Sequence, residues 1–387
     1  MKLLNLMFSI LFVVCCVGCS HNEKDDTNAT IIDIDKFNNT DTINFSQIFN
    51  SYKIIPLETN DSCLIGSVSS IRFCNDYIVV LDQNISQSVF LFDINGNFIR
   101  KIGAMGKGPG EYIIPYSITT NEDDNEIMIL DDASQRILIF SLNGEFIRSV
   151  PYKASSKSIE YYNGKLHSAQ DLCISSDYAL TQINNEGNIT NEWIPIKSKL
   201  NLFQGWSPFT NFFRTPSGLR FRVWYLNDIY SINSNSINTL ISLKSNSQCV
   251  IDEMDKVFTT NNQFSIESLV ITSYVEMNNL SIIEYLNLGE YFLMFYNQKD
   301  ETVKSVKFRN FKDDITHNRG MKSGHFYTSY KDYLVSEMNS NDRLLWSDLI
   351  DNIELGKVEL NSNKSIKLTN ESNPVIIMYK CKEAPSF

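Results

Sequence analysis

The chain has little of what many enzymes and nucleic-acid-binding proteins use. It contains only four histidines, and neither GxSxG nor HExxH occurs in its 387 residues. Acidic side chains outnumber basic ones by 45 to 34, which gives a net charge of −11. A protein that binds nucleic acid must neutralise phosphates with a basic surface. The composition therefore argues against nucleic acid as a partner, and no catalytic residue can be named from a motif.

Long hydrophobic runs are also missing, except at the N-terminus. Met1 and Lys2 precede the apolar stretch 3–17, and the letters VGCS then place Cys19 behind small residues. This order is typical of a secretory signal peptide, and it resembles the bacterial lipobox, in which the cysteine after the cleavage site receives the lipid. We predict a lipoprotein signal peptide over 1–18 with lipid attached to Cys19. An ordinary signal peptide with an incidental cysteine is the alternative.

The segment behind the predicted lipid is polar and short of apolar residues. Such a composition is typical of disorder, so we predict a flexible tether over 19–44 and a folded domain over 45–387. Since Lys2 is the only charged residue of the signal peptide, the mature chain has 33 basic and 45 acidic side chains. No other apolar run is long enough to cross a bilayer. Membrane attachment is therefore predicted to depend on the lipid.

Three acidic residues follow the predicted lipid site, namely Glu23, Asp25 and Asp26. An acidic cluster at this place resembles the surface-export signal of Bacteroidetes-type lipoproteins, although acidic tethers also serve solubility alone. We therefore place the protein in the cell envelope, anchored to the outer membrane on its periplasmic face or at the cell surface.

Cysteine usage gives no metal or redox motif in the mature chain. Besides Cys19 there are five cysteines and no CxxC pair among them: Cys63, Cys74, Cys173, Cys249 and Cys381. Because five is odd, at least one is unpaired. Buried free thiols are one interpretation, and a Cys63–Cys74 bridge in an oxidising compartment is the other.

An internal repeat organises the folded part. SQSVFLFDINGNFIRKI (86–102) and SQRILIFSLNGEFIRSV (134–150) share eight of seventeen aligned positions at an offset of 48 residues. A weaker copy occurs at 178–189. The two strong copies have apolar, β-branched and aromatic runs around an Asn-Gly pair, Asn95-Gly96 and Asn143-Gly144, which predicts strands joined by a type I′ hairpin turn. Strand repeats with a period of 40 to 50 residues indicate a propeller.

The glycine-rich stretch GAMGKGPGEY (103–112) is better explained by this repeat than by a phosphate site. A Walker motif needs Ser or Thr after its lysine, but Lys107 is followed by Gly108. A dinucleotide-binding motif would need its third glycine where Glu111 stands. Both motifs open a helix, whereas Pro115 follows here in an extended run. We exclude nucleotide binding and predict that the stretch connects two blades.

The quoted motifs, together with IPLETNDSCLIGSVSSI (55–71) and NPVIIMYKCK (373–382), resemble the six-bladed β-propeller lipoproteins of Bacteroidetes, distant relatives of NHL-repeat propellers. The resemblance covers roughly residues 45 to 385. It implies an all-β fold of six four-stranded antiparallel blades. Strands near 52–58 and 375–381 are predicted to pair and close the ring, which leaves no long exposed edge. The family has no general activity to carry over.

Candidate metal ligands have simpler structural interpretations. Asp82 and Asp131 follow equivalent strands. They can line the channel and hold a divalent cation such as Ca²⁺, as carboxylates do in gluconolactonase-like six-bladed enzymes, or they can cap turns by accepting backbone N–H groups. Their recurrence in successive blades favours capping. His317 and His325 lack a third ligand; both are predicted to lie in a surface loop.

The stretch 201–230 is rich in aromatic residues and arginines, which can form a platform for a ligand or can pack between blades. Trp206, Phe209 and Arg214 are the candidate ligand-binding residues because they lie in its loop-like part. We predict a lipid-anchored module that binds a glycan, peptide or protein across the propeller face, without a cofactor. The alternative is a metal-dependent hydrolase or lactonase with its site in the central channel.

Overall fold

The computed structural model describes most of the predicted domain. The described residues are 29–37, 41–152, 156–170, 177–196, 211–246, 268–314, 326–338, 359–360, 369, 371–383 and 385. Several predicted features lie outside these ranges, namely the signal peptide, Cys19, Cys173, Cys249, Trp206, Phe209, His317 and His325.

The chain enters the fold through short elements. They are the strand β1 (Thr30–Asp33), a 3-10 turn (Ile34–Lys36), β2 (Ile43–Asn44), the single helical turn α1 (Phe45–Ile48) and β3 (Phe49–Pro56). β1 pairs in parallel with a later strand, and Ile32 and Ile34 are buried. The segment predicted as a tether therefore contains a paired strand from Thr30 onwards. Its apolar residues Ile32 and Ile34 lie two positions apart and are buried against the partner sheet, whereas Ile31 is exposed.

Thirty strands in all are described, and most form repeating groups of four. The first group is β4 (Ser70–Cys74), β5 (Tyr77–Asp82), β6 (Ser88–Asp93) and β7 (Phe98–Lys101), followed by the short β8 (Ala104–Met105) and β9 (Glu111–Tyr112). The second is β10 (Pro115–Asn121), β11 (Glu126–Asp131), β12 (Arg136–Ser141) and β13 (Phe146–Pro151). The third is β14 (Ser156–Tyr162), β15 (Lys165–Gln170), β16 (Tyr178–Ile183) and β17 (Ile189–Pro195).

The remaining groups follow in the same order. The fourth is β18 (Phe212–Thr215), β19 (Gly218–Phe221), β20 (Asp228–Ile232) and β21 (Ile237–Lys244). The fifth is β22 (Val270–Met277), β23 (Leu280–Asn287), β24 (Glu290–Asn297) and β25 (Val303–Lys307), with β26 (Phe311–Lys312) behind it. The last comprises β27 (Thr328–Tyr330), β28 (Tyr333–Met338), β29 (Glu359–Leu360) and β30 (Val375–Cys381).

The six groups are the antiparallel blades of a six-bladed β-propeller, which confirms the predicted fold class. The innermost strands are β4, β10, β14, β18, β22 and β27, and each contacts the next around the ring, with β27 returning to β4. In the last blade the order is β27, β28, β30, β3, with the short β29 pairing in parallel on the outside of β3. Ring closure by the N-terminal and C-terminal strands, through the antiparallel pair β3–β30, is thus confirmed.

Antiparallel order gives the propeller two different ends. The turns between the first and second strands of the blades, and between the third and fourth strands of the first five blades, lie at one end, which we call the hairpin face. The connections between blades lie at the other end, which we call the connection face. The glycine-rich stretch joins β7, the outer strand of one blade, to β10, the inner strand of the next. The prediction that it connects two blades is confirmed.

The core consists of six hydrophobic clusters, one between each pair of neighbouring blades. The strand β5 shows how the sequence supplies two clusters at once. Ile78 and Val80 face the last blade, whereas Val79 and Leu81 face the second blade. Since successive side chains of a strand point to opposite sides, both sides of the blade are buried. Continuous apolar runs such as IVVL follow from this packing.

The Asn-Gly turns are tight hairpins, but the predicted type I′ geometry is wrong. Gly96 has φ +83° and Gly144 has φ +77°, whereas neither Asn95 nor Asn143 has positive φ. The Gly96 N–H donates to Asp93 O, and the Asp93 N–H donates to Asn97 O, both at 3.0 Å. This is a turn followed by one left-handed glycine with a bulge in the strand. The weaker copy has the same arrangement at Gly187.

Candidate functional site

A cavity of about 500 Å³ opens on the hairpin face at the mouth of the central channel. Its walls are the first-to-second strand turns of five blades and the inner-strand residues beside them. Sites for small ligands usually have volumes of this order. Arg214, one of the three predicted ligand-binding residues, lines the cavity. The other two, Trp206 and Phe209, lie outside the described residues, in the connection from β17 to β18.

The floor of the cavity is an ion-pair cluster around Glu160, a fully buried residue of β14. Glu160 Oε1 accepts from Arg214 Nε at 2.6 Å, and Glu160 Oε2 accepts from Arg72 Nε at 3.1 Å. Thr119 Oγ1 donates to the same carboxylate at 2.8 Å. These four residues come from four different blades. The cluster therefore ties inner strands together across the channel.

Arg214 has little capacity left for a ligand. Its Nη2 donates to the backbone oxygens of Thr120 at 2.6 Å and Tyr161 at 2.8 Å, and its Nη1 donates to Glu122 Oε1 at 3.2 Å. Its side chain keeps 19% of its exposure. The Arg214 guanidinium therefore mainly holds the cavity wall together, and few of its N–H groups are left for a ligand. Its predicted contact with a ligand stays a prediction.

The cluster keeps Glu160 ionised. Burial by itself raises the pKa of a carboxyl, because it penalises the charged form. The charges of Arg214 and Arg72 and the hydrogen bond from Thr119 outweigh burial, so the pKa of Glu160 lies below its usual value. A proton-transfer role would instead need a pKa near neutrality.

The rim of the cavity carries a second, exposed set of charges. Lys331 Nζ lies 3.3 Å from Asp76 Oδ1, and Tyr330 donates its hydroxyl to the backbone oxygen of Asn75 at 3.1 Å. The Tyr330 ring stacks on Phe73 with centroids 4.0 Å apart. The Lys331 ammonium lies 4.9 Å from the centroid of the same ring. Because Phe73 and Lys331 both contact the ring, Tyr330 offers a ligand mainly its polar edge.

Asp82 and Asp131 are turn-capping residues, which confirms the structural interpretation. Asp82 accepts backbone N–H groups from Gly66 at 2.8 Å, Ile85 at 3.0 Å and Ser86 at 3.1 Å. Burial raises the pKa of Asp82, but these N–H groups outweigh it, so the pKa is lowered. Asp131 accepts from Ile113 N at 3.0 Å. With their oxygens engaged by the backbone, the two carboxylates are poorly placed to hold a channel cation.

The other buried titratable groups of the described chain do not form a reactive set. No group of three or more His, Cys, Asp or Glu side chains that could hold a metal occurs among the residues the structure covers. His167 is buried, and burial lowers its pKa to about 4. Arg220 and Glu276 form a second buried ion pair, with atoms 2.9 Å apart, between the fourth and fifth blades.

The three described cysteines, Cys63, Cys74 and Cys381, are buried free thiols. The Cys63–Cys74 bridge is therefore wrong, and burial raises the pKa of Cys74 to about 11. Cys173 and Cys249 lie outside the described residues. Thiols that are buried and protonated are inert.

Tight packing around one carboxylate explains the glycine-rich connection. The Gly108 N–H donates to Glu111 Oε2 at 2.8 Å. A Cβ atom at Gly106 would lie 2.0 Å from the same oxygen. The glycines let the chain fold closely over Glu111, which gives the stretch a structural reason to exist.

Sequence reasoning missed most of the cavity. Glu160 lies in an ordinary strand sequence, SIEYY, and its partners Arg72 and Arg214 are 88 and 54 residues away along the chain. The one available sequence signal for the cavity residues was their position. Polar residues at the ends of inner strands face the channel mouth in several blades.

Comparisons with known proteins agree with the fold. The model of the family described as Domain of unknown function (DUF4934) matches residues 29–380. The chain is similar to a Bacteroides fragilis NCTC 9343 protein designated as exported (BF0058), with a TM-score of 0.67 and 20% identity over 91% of this chain and 100% of that chain. It is also similar to a duf4221 family member from Bacteroides vulgatus ATCC 8482, with a TM-score of 0.50 and 12% identity over 87% and 98%.

No curated protein matches the chain. At these identities the similar structures show the propeller fold and nothing about activity. None of the helices in the described ranges is long and apolar enough to cross a membrane.

Proposed function

We propose that this chain, which belongs to the DUF4934 family of unknown function, is a lipid-anchored envelope module that binds a ligand and catalyses no reaction. The observation that carries the proposal is the cavity on the hairpin face. It is roomy and open, and its cations Arg72, Arg214 and Lys331 are held in ion pairs. Such a wall is preorganised to bind, and it presents no nucleophile with an adjacent base.

The anchor part of the proposal depends on Cys19. Support comes from the signal-like N-terminus, from the similarity to a protein designated as exported, and from the place of the first described strand. Thr30 is the first residue of that strand, and ten residues separate it from Cys19 in the sequence. A chain of this length reaches at most about 40 Å. The propeller would therefore stay close to the membrane.

The anchor is tested by comparing the native protein with Cys19→Ala in its native host. We expect palmitate labelling and membrane pelleting of the native protein, and neither for the variant. Ser20→Ala is the matched control and should behave as the native protein. A Cys19→Ala protein that still labels and pellets would contradict the anchor.

Binding is proposed to use the propeller face. Arg214 contributes to the cavity wall; Trp206 and Phe209 lie outside the described residues and stay candidates from the sequence. A glycan, a peptide and a protein segment are all compatible with a polar cavity of this size. The surface-export role of Glu23, Asp25 and Asp26 stays part of the same proposal.

A further inference from the structure

The cations of the hairpin-face cavity limit which ligands it can take. Arg72 and Arg214 are both bound to Glu160, and Lys331 is paired with Asp76. An anionic ligand would have to break one of these pairs or lie against the carboxylates of Glu122 and Asp123. Separating the buried pairs of Glu160 costs several kcal/mol. The exposed Lys331–Asp76 pair separates at little cost, but an anion at Lys331 would then lie beside the carboxylate of Asp76. The cavity therefore disfavours phosphates, sulfates and carboxylates.

The groups that remain open are of a different kind. Tyr161, Tyr162 and Asn163 follow one another into the turn between β14 and β15, and Asp123 lies in the turn between β10 and β11. All four line the cavity, in neighbouring blades. No hydrogen bond to another described side chain occupies the Tyr162 hydroxyl, the Asn163 amide or the Asp123 carboxylate. They can therefore bond to a ligand.

These open groups are complementary to a ligand that both donates and accepts hydrogen bonds. A carboxylate only accepts, a carboxamide does both in one plane, and a phenol adds a donor at the end of a flat apolar ring. Vicinal hydroxyl groups on a ring fit this combination, because each hydroxyl can donate to Asp123 while accepting from Asn163 or Tyr162. A cation could satisfy Asp123 alone and would leave the two donors without a partner.

We infer that the cavity binds an uncharged, hydroxyl-rich ligand, a neutral saccharide unit, through Asp123, Tyr162 and Asn163. This inference rests on the proposed binding function and names its ligand class. The wall around Glu160 serves as a rigid support for these three side chains. The rim carboxylates exclude acidic sugars.

The test uses the purified mature chain with Cys19→Ala on an array of neutral and acidic oligosaccharides, followed by calorimetric titration of the best neutral binder. We expect neutral glycans to bind and their uronic-acid or sulfated counterparts to bind at least about tenfold more weakly. Tyr162→Phe and Asp123→Ala should each weaken binding by about fivefold to tenfold, as expected when one ligand hydrogen bond is lost. Tyr291→Phe, an exposed tyrosine at the start of β24, is the matched control and should bind normally.

Melting curves separate binding from folding: Asp123 is exposed in its turn, and Tyr162→Phe keeps the ring that packs between the third and fourth blades, so both variants should leave the melting temperature unchanged. Preferential binding of acidic glycans would overturn the ligand class. Neutral binding that ignores both variants would overturn the site and leave the binding function standing. The absence of any glycan binding would overturn the inference and leave the proposed function to peptide or protein ligands.

Discussion

At the scale of single residues, Glu160 and Arg214 hold the inner strands together. Removing Arg214 would leave a fully buried carboxylate with only Arg72 as its cationic partner. Breaking a buried pair on one side costs about 3–5 kcal/mol. Since Arg72 stays in place, we expect Arg214→Ala to lower the free energy of unfolding by about 3 kcal/mol in chemical denaturation.

Lys331→Ala is the matched control for this prediction. Lys331 is 63% exposed and its partner Asp76 is 73% exposed, and surface ion pairs contribute about 0–1 kcal/mol. Equal losses of stability for the two variants would mean that the cluster around Glu160 is not the buried support that the structure shows.

His167 provides a pH-dependent prediction. Burial lowers its pKa to about 4, against 6.5 in the unfolded chain. Between these values the unfolded chain binds a proton that the folded chain does not, so stability is fully present above pH 6.5 and falls as the pH drops towards 4. The loss is about 3 kcal/mol. His167→Gln should remove this part of the pH dependence in denaturation curves from pH 7.5 to 4. A variant with an unchanged slope would assign the titration to other groups.

None of these residue-scale roles could be predicted from the sequence. Glu160, Arg72 and Arg214 become neighbours only when four inner strands meet around the axis, and nothing local marks any of them. Asp82 and Asp131 were predictable, because they follow equivalent strands and bond mainly to backbone groups nearby in the chain. Short-range hydrogen bonding leaves a repeat in the sequence, whereas contacts across the channel leave none.

At the scale of elements, the turns decide how the blades meet. Gly96 has a left-handed backbone, and a Cβ atom on it would lie 2.2 Å from Pro56 O. Gly164 has a similar φ of +73°, but its Cβ would meet nothing within 4 Å. The two positions therefore separate backbone strain from steric overlap with the neighbouring blade.

We expect Gly164→Ala to cost about 1 kcal/mol from strain alone. Gly96→Ala should cost about 2–3 kcal/mol, and Gly96→Val more, because the last blade must also move away. Thermal melts of the three variants check this order. Equal melting temperatures for Gly96→Ala and Gly164→Ala would show that the turn does not touch Pro56.

The elements were largely predictable and their fine geometry was not. The repeat around NGNFIR and NGEFIR indicated hairpins because both copies alternate with turn residues. The choice between a type I′ turn and a left-handed glycine with a bulge depends on one further residue in the loop. The Asn-Gly pair is compatible with both arrangements, so it does not distinguish them.

At the scale of the whole molecule, β3, which closes the ring, and the N-terminal strand β1 contribute differently to stability. β3 supplies the fourth strand of the last blade, inside the two-residue β29, and pairs along its length with β30. β1 only adds a fifth strand to the outside of the fourth blade. A chain beginning at Asp41 should fold and unfold cooperatively with a lower melting temperature, since it loses the buried Ile32 and Ile34.

A chain beginning at Leu57 should not fold cooperatively, because the last blade would lose a strand and expose the edge of β30. Circular dichroism melts of both shortened chains check this contrast. A cooperative transition in the chain that begins at Leu57 would contradict closure through β3.

The central proposal is that this propeller binds a ligand and is not a metal-dependent hydrolase. The channel mouth is occupied by Arg72, Glu160 and Arg214, and Asp82 and Asp131 are engaged by backbone N–H groups. Elemental analysis of the purified protein by mass spectrometry, before and after treatment with a chelator, is the most direct test. The account predicts no stoichiometric metal and an unchanged melting temperature. One Ca²⁺ or Zn²⁺ per chain, removed by the chelator together with a hydrolytic activity, would contradict it.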